Sequence, residues 1–356
     1  MEINHVLENI QKIDHVYIQQ ARKYCDNLAK PLGALGKLED IYCRLYAMFC
    51  GKIIIDKKIV IVYVADNGIC QEGISANPQV TTYQVGKNML EGNAGINIMT
   101  KQVGADVSIV DIGCLQDLSS FSNQKVRYGT ENALKRPALT KKEALRAIQV
   151  GYEHTLQLIE QGYTVFGTGE MGVGNTTTSV AVISQLLSKD AQEIVGFGAG
   201  INQETLAHKA QIIKRMIEHN APYEDALDVA RKVGGLDILG MVGTYLACAK
   251  HQLPFVIDGV ISIAALLVAH ALNESVLDYA FASHCSTEPG YQVVSEFLNL
   301  SPMLQLDMRL GEGTGCPLLF FLMDMAKQTM ETMPSFKTAH LNKDDYVDIR
   351  NKKLEE

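Results

Sequence analysis

The sequence predicts an α/β fold, a mostly parallel sheet with helices on both faces, on three observations. Short β-branched apolar runs alternate with helical periodicities from residue 58 onward, each run stops at a polar or glycine turn, and 47% of the 356 residues are hydrophobic, enough for a substantial core. The ends of buried parallel strands read this way.

The first fifty or so residues read as helical, with Leu38, Ile41, Leu45 and Met48 recurring at helical spacing after the turn Pro31-Leu32-Gly33. The first strand is expected at 59–64, ending at Ala65-Asp66-Asn67-Gly68. A helix over 81–102 and a strand over 107–112, closed by Gly113, follow it. Next come a helix over 141–160, a strand at 164–166 that ends at Gly167, and helices over 176–187, 203–219 and 237–250. A strand at 255–257 ends at Asp258-Gly259, and another is closed by the stretch from Ser283 to Gly290. Residues 338–356 are rich in charge and poor in apolar side chains, so a solvated or partner-covering tail is expected there. In open sheets of this kind the ligand lies beyond the carboxyl ends of the strands, so these turns should share one crevice.

Composition narrows the partners. A net charge of −8, with no Lys/Arg cluster alternating with aromatics, argues against nucleic acid and for small molecules. The first residues carry scattered charge and no apolar signal core, and no run approaches bilayer length, so a cytoplasmic protein with no membrane partner is expected. Eight dispersed cysteines form no C-x-x-C pair and read as reduced, mostly buried thiols, and no metal site is predicted.

Four turns could carry chemistry. Gly167-Thr168-Gly169-Glu170-Met171-Gly172 formally matches the G-x-G-x-x-G dinucleotide fingerprint and supports one reading, a nicotinamide-dependent oxidoreductase. Yet it lies mid-chain and places Glu170 where a pyrophosphate would sit. A packing turn is the other reading, although Asn175 and the threonines after it add donors that packing does not need. The turn Gly196 to Gly200 opens a helix carrying Lys209, so glycine amides and a cation could meet one anion. Ser286 is either a donor to a phosphate or ribose oxygen or a helix N-cap, and its neighbours His284 and Cys285 point to different places. Finally, Gly311-Glu312-Gly313 presents a carboxylate on a bare backbone turn, where a desolvating ligand could lift its pKa toward that of a useful base. Two turn carboxylates with two phosphate-type turns suggest group transfer on a phosphorylated sugar, and a non-catalytic nucleotide-binding subunit is the reading from outside enzymology.

Several motifs, in order, then make the chain recognisable. Lys30-Pro31-Leu32-Gly33-Ala34-Leu35-Gly36-Lys37-Leu38-Glu39, Ala65-Asp66-Asn67-Gly68, Glu72-Gly73-Ile74-Ser75, Pro78-Gln79-Val80-Thr81, Gly169 to Thr177, Asp258-Gly259 and Glu312-Gly313-Thr314-Gly315 resemble the nicotinate-nucleotide:dimethylbenzimidazole phosphoribosyltransferase family over most of the chain. The resemblance implies a Rossmann-like, mostly parallel sheet in a large domain over 58–310. It also implies a smaller helical domain gathered from 1–57 and 311–337, a homodimer, and no cofactor. It implies transfer of phosphoribose from nicotinate mononucleotide to 5,6-dimethylbenzimidazole, or a related azole or phenolic base, in assembly of the cobalamin nucleotide loop. By the same resemblance Glu312 is the general base and Glu170 a second active-site acid. Gly172, Gly174, Asn175, Thr176, Gly198, Gly200, Lys209, Asp258, Gly259 and Ser286 hold the ribose phosphate, and Gln84 and Met171 line the base pocket. One position departs: the family commonly shows Asp-His-Gly after the first strand, and this chain has Asp66-Asn67-Gly68, whose Asn67 cannot titrate near neutrality.

Overall fold

The computed structural model describes residues 3–118, 124–198 and 200–350. Five parallel strands, β1 (Lys58–Ala65), β2 (Asp106–Gly113), β3 (Val165–Met171), β4 (Phe255–Ile257) and β5 (Ala280–Ala282), form one sheet in the order β2-β1-β3-β4-β5. The chain leaves β1 toward one edge and β3 toward the other, which opens a crevice at the carboxyl end of the sheet between their connections.

Each face is covered for a local reason. Tyr63 of β1 points to the face under Leu236–Lys250, where Gly240 lets that helix approach the ring. The same helix runs against Lys141–Glu160 at backbone distance, because side chains at Gly151 or Gly243 would meet the other helix's carbonyls. On the opposite face Gly167 of β3 admits Cys316 and Phe320 of the helix Gly315–Thr332. That helix also packs on Lys37–Met48, which lies against His15–Cys25. Segments from both chain ends thus form one helical layer.

Two expectations from the sequence are corrected. First, β3 does not stop at Gly167 but runs to Met171, so the first two glycines of the apparent fingerprint are strand residues. They are glycines for steric reasons: a Cβ on Gly169 would collide with the carbonyl oxygen of Glu312. Second, the helix expected over 81–102 is two helices, Thr81–Leu90 and Gly95–Gln102, broken where Gly92 takes a positive φ of 80°. The break creates a second helix N-terminus beside the crevice. None of residues 338–350 of the expected charged tail is buried, and they run along the N-terminal part of the chain. The Ile349 amide donates to the Leu32 carbonyl, Arg350 pairs with Asp26, and Tyr346 packs edge-on against Phe336. Residues 351–356 of that tail lie outside the described residues. None of the described helices is long and apolar enough to cross a membrane.

Candidate active site

A cavity of about 350 Å³ occupies the crevice, the scale of a small-ligand site. Its walls come from the ends of β3, β4 and β5, the turn that precedes Gly315–Thr332, and the first turns after β1. Of the residues singled out from sequence, Glu170, Met171, Gly172, Gly174, Asn175, Thr176, Gly198, Lys209, Asp258, Gly259, Ser286 and Glu312 line this one space. Gln84 and Gly200 do not. Gln84 is exposed on a helix whose Thr81 and Val85 face the cavity, and Gly200 is an exposed turn residue beyond Gly198. Ala199, within the same predicted turn, lies outside the described residues.

One side of the cavity is cationic and rich in donors. Lys209 is 1% exposed, and its Nζ donates to Thr176 Oγ1 at 2.9 Å and to the Gly196 carbonyl at 3.2 Å. Burial pushes its ammonium down to about 8, opposed by the charge of Glu288. No described carboxylate comes within ion-pair distance of it, so an anionic ligand would supply the missing counter-charge. The Gly198 amide meanwhile donates to Glu288 Oε1 at 3.0 Å, and Glu288 Oε2 is buried without a partner. A buried carboxylate therefore occupies one of the donors expected to hold phosphate. Nothing in the sequence marks Glu288, because a Glu before Pro289-Gly290 looks like an ordinary helix start.

The other side is acidic. Glu312 takes a φ of +62°, an uncommon conformation for a residue with a Cβ, between Gly311 at +83° and Gly313 at +86°. Three contacts hold this turn. Gly169 and Gly313 touch backbone to backbone. Asp258 accepts from the amides of Gly313 at 3.1 Å and Gly315 at 2.7 Å. Glu312 Oε2 accepts from the Ile96 amide at 3.1 Å, at the N-terminus of Gly95–Gln102. Burial raises the Glu312 pKa while the amides of Ile96 and Gly95 lower it, with burial prevailing. The result is a carboxylate oriented by backbone amides at the cavity wall, whose proton affinity exceeds that of a surface Glu.

Glu170 lies near the end of β3, on the face that meets Leu236–Lys250. Its Oε1 lies against Gly311, and its Oε2 accepts from the Asn175 side-chain amide. Burial, then the nearby charge of Asp237, raise its pKa to about 8 against the effect of that hydrogen bond, with smaller contributions from Asp258 and Glu312. Asp258 is itself pushed up to about 7 by burial. Its carboxylate faces the amides of the Glu312 turn, so the structure gives it the task of anchoring that turn. His284 is made more acidic by burial, shares a hydrogen bond with Ser283 Oγ, and stands 3.8 Å from Asp258, while the Cys285 thiol turns toward the Ser286 carbonyl. They form no nucleophile and base pair. Arg309, exposed on the cavity's rim, belongs to no motif of the sequence and comes to the site only through the fold.

Comparison with known proteins places these features in a family. A family model described as "Phosphoribosyltransferase" matches residues 10–341. The nicotinate-nucleotide–dimethylbenzimidazole phosphoribosyltransferase of Clostridium tetani is 43% identical over 98% of both chains, and that of Clostridium perfringens is 40% identical over the same shares. Among solved structures, CobT from Thermus thermophilus superimposes with a TM-score of 0.88 at 36% identity, covering 92% of this chain and 99% of that one.

Proposed function

This chain belongs to the nicotinate-nucleotide–dimethylbenzimidazole phosphoribosyltransferase family, and from that premise we propose that it moves phosphoribose from nicotinate mononucleotide to 5,6-dimethylbenzimidazole or a related azole or phenolic base. The product is the α-riboside 5′-phosphate used in cobalamin nucleotide-loop assembly, and nicotinate is released. The observation that carries the residue assignment is the pairing of one cavity's two sides. Lys209 offers an unpaired cation to the 5′-phosphate, and Glu312 offers an oriented carboxylate of raised pKa at the opposite turn.

The chemistry needs little else from the protein. Nicotinate is attached to C1′ as a pyridinium, so when the C1′–N bond breaks its electron pair neutralises the ring and no acid is required. Positive charge gathers at C1′, and the carboxylate of Glu170, when ionised, stabilises it. The azole nitrogen attacks from the opposite face, which inverts β to α, and the proton on its other nitrogen passes to Glu312. Met171 and the apolar side chains around it exclude water that would otherwise take the sugar. Lys209, Thr176 and Ser286 hold the phosphate, with Gly172, Gly174, Asn175 and Gly259 shaping the ribose site, while the Gly198 amide stays on Glu288. We infer also a cytoplasmic homodimer, in which residues 1–57 and 311–337 form a small helical domain that presents the Glu312 turn to the α/β domain at 58–310.

The test is incubation with nicotinate mononucleotide and a panel of dimethylbenzimidazole, other benzimidazoles, adenine and phenols, with product identification. Nicotinate release with formation of an α-riboside phosphate from at least one base is expected, and its absence across the panel refutes the reading. Glu312→Gln should lower turnover by about a hundred to ten thousand fold, and unchanged turnover would remove Glu312 from its role.

A further inference from the structure

Asp237 reads in the sequence only as the start of a helix, and it lies outside the residues that line the cavity. Its side chain is nevertheless fully buried at the N-terminus of Leu236–Lys250, where Oδ1 accepts from the Ile238 amide at 3.0 Å. Its Oδ2 accepts from Asn175 Nδ2 at 3.2 Å, and the same nitrogen donates to Glu170 Oε2. One amide group thus spends its two hydrogens on two carboxylates. No cation is paired with either carboxylate among the described residues.

We propose that Asp237 is a positioning residue for the transfer reaction: through Asn175 it fixes the Glu170 carboxylate beneath C1′ and keeps that carboxylate's electron density high. This rests on the proposed reaction. The geometry leaves Asn175 a single productive rotamer, since both of its hydrogens have defined acceptors. Without Asp237, Asn175 keeps only the acceptor it is meant to orient, and Glu170 loses its fixed orientation beside Gly311. Space around the relay is already closed, because Gly172 and Gly235 would each bring a Cβ against Asp237 and Asn67. Asn67 is itself buried, but its Nδ2 donates to the Val173 carbonyl and its Oδ1 has no partner, so it gives Asp237 no hydrogen bond. The groups facing Glu170 are therefore Asn175, Asp237, Asp258 and Glu312, all but the first of them acidic. Removal of the Asp237 charge must lower the Glu170 pKa. A transfer rate that needs ionised Glu170 falls as pH drops through that pKa, so the ascending limb of the pH profile moves to lower pH.

Two variants, assayed for nicotinate release with saturating base, separate orientation from charge. Asp237→Ala removes both and should lower kcat by about tenfold to a hundredfold, with KM for nicotinate mononucleotide within about twofold. Asp237→Asn keeps an acceptor for Asn175, so it should recover most of kcat while its ascending limb lies about one pH unit below the wild type. The proposal is overturned if both variants keep wild-type kcat and pH profile. It is equally overturned if both lose kcat alike with the limb unmoved, as a purely structural role would give. Wild-type turnover is the control: its absence refutes the proposed reaction and this role with it, a result distinct from either variant outcome.

Discussion

Glu39 and Glu170 are both buried carboxylates, one in the helical layer and one near the end of β3, and they are held in opposite ways. Glu39, 0% exposed, accepts from Lys30 Nζ at 2.6 Å and from the Leu35 amide at 3.1 Å, with Arg22 standing 3.6 Å from its other oxygen. Glu170 has one amide hydrogen bond and three acidic neighbours. At Glu39 the chain itself provides the counter-charge. Glu170 has no paired cation among the described residues, and in the proposed reaction a ligand carrying a pyridinium, then a cationic C1′, would provide the counter-charge. The same contrast holds for the cations, since Lys30 is paired inside the fold while Lys209 meets only the Thr176 hydroxyl and the Gly196 carbonyl among the described residues.

The larger expected effect of this difference is on the paired site. Glu39→Ala leaves Lys30 buried and alone, and should lower unfolding free energy by about 3–5 kcal/mol in a urea titration. A loss below about 1 kcal/mol would show that solvent can take over the role of the carboxylate, and the contrast with the cavity would fail.

The smaller effect has the opposite sign. Because burial raises Glu170 to about 8, the folded state keeps a proton that the unfolded chain releases near pH 4. The stability linked to that proton is fully present below about pH 4 and is lost as pH rises through about 8. Asp258, at about 7, and Asp237, raised to about 6 chiefly by burial, add to the same trend. The ligand-free protein should therefore melt at progressively lower temperature from about pH 5 to about pH 9. Glu170→Gln should flatten part of that decline, raising stability by about 1 kcal/mol or more at about pH 8 and hardly at all at about pH 5, while transfer activity drops. A variant that is less stable than wild type at the higher pH would mean Glu170 is compensated by something other than substrate.

Much of this arrangement is legible along the chain, and what is not shares one cause. The strands and most helices follow from periodicity, and Glu312 stands out because glycines flank it on a turn. Gly167 and Gly169 mislead because a glycine required by a distant partner looks the same as one required by a local turn; the Glu312 backbone that forces Gly169 is far away in sequence. The split of 81–102 is hidden for a similar reason, since the amides freed at Gly95 and Ile96 are partnered by Glu312 rather than by a local cap. Asp237 and Glu288 are ordinary helix-start residues until folding sets them beside Asn175 and Gly198. The family pattern puts Gln84 in the pocket, but the face of its helix that meets the cavity is that of Thr81 and Val85.

The central claim, that the acidic wall is balanced by the charge of the substrate ring, is tested most directly by comparing two ligands of nearly the same shape. Nicotinate mononucleotide carries a cationic ring, and its 1,4-dihydro form carries a neutral one. Equilibrium binding to Glu312→Gln at about pH 8, without acceptor base, should favour the cationic form by about tenfold or more, a difference of about 1.4 kcal/mol. Equal affinity, or a preference for the neutral ring, would contradict it.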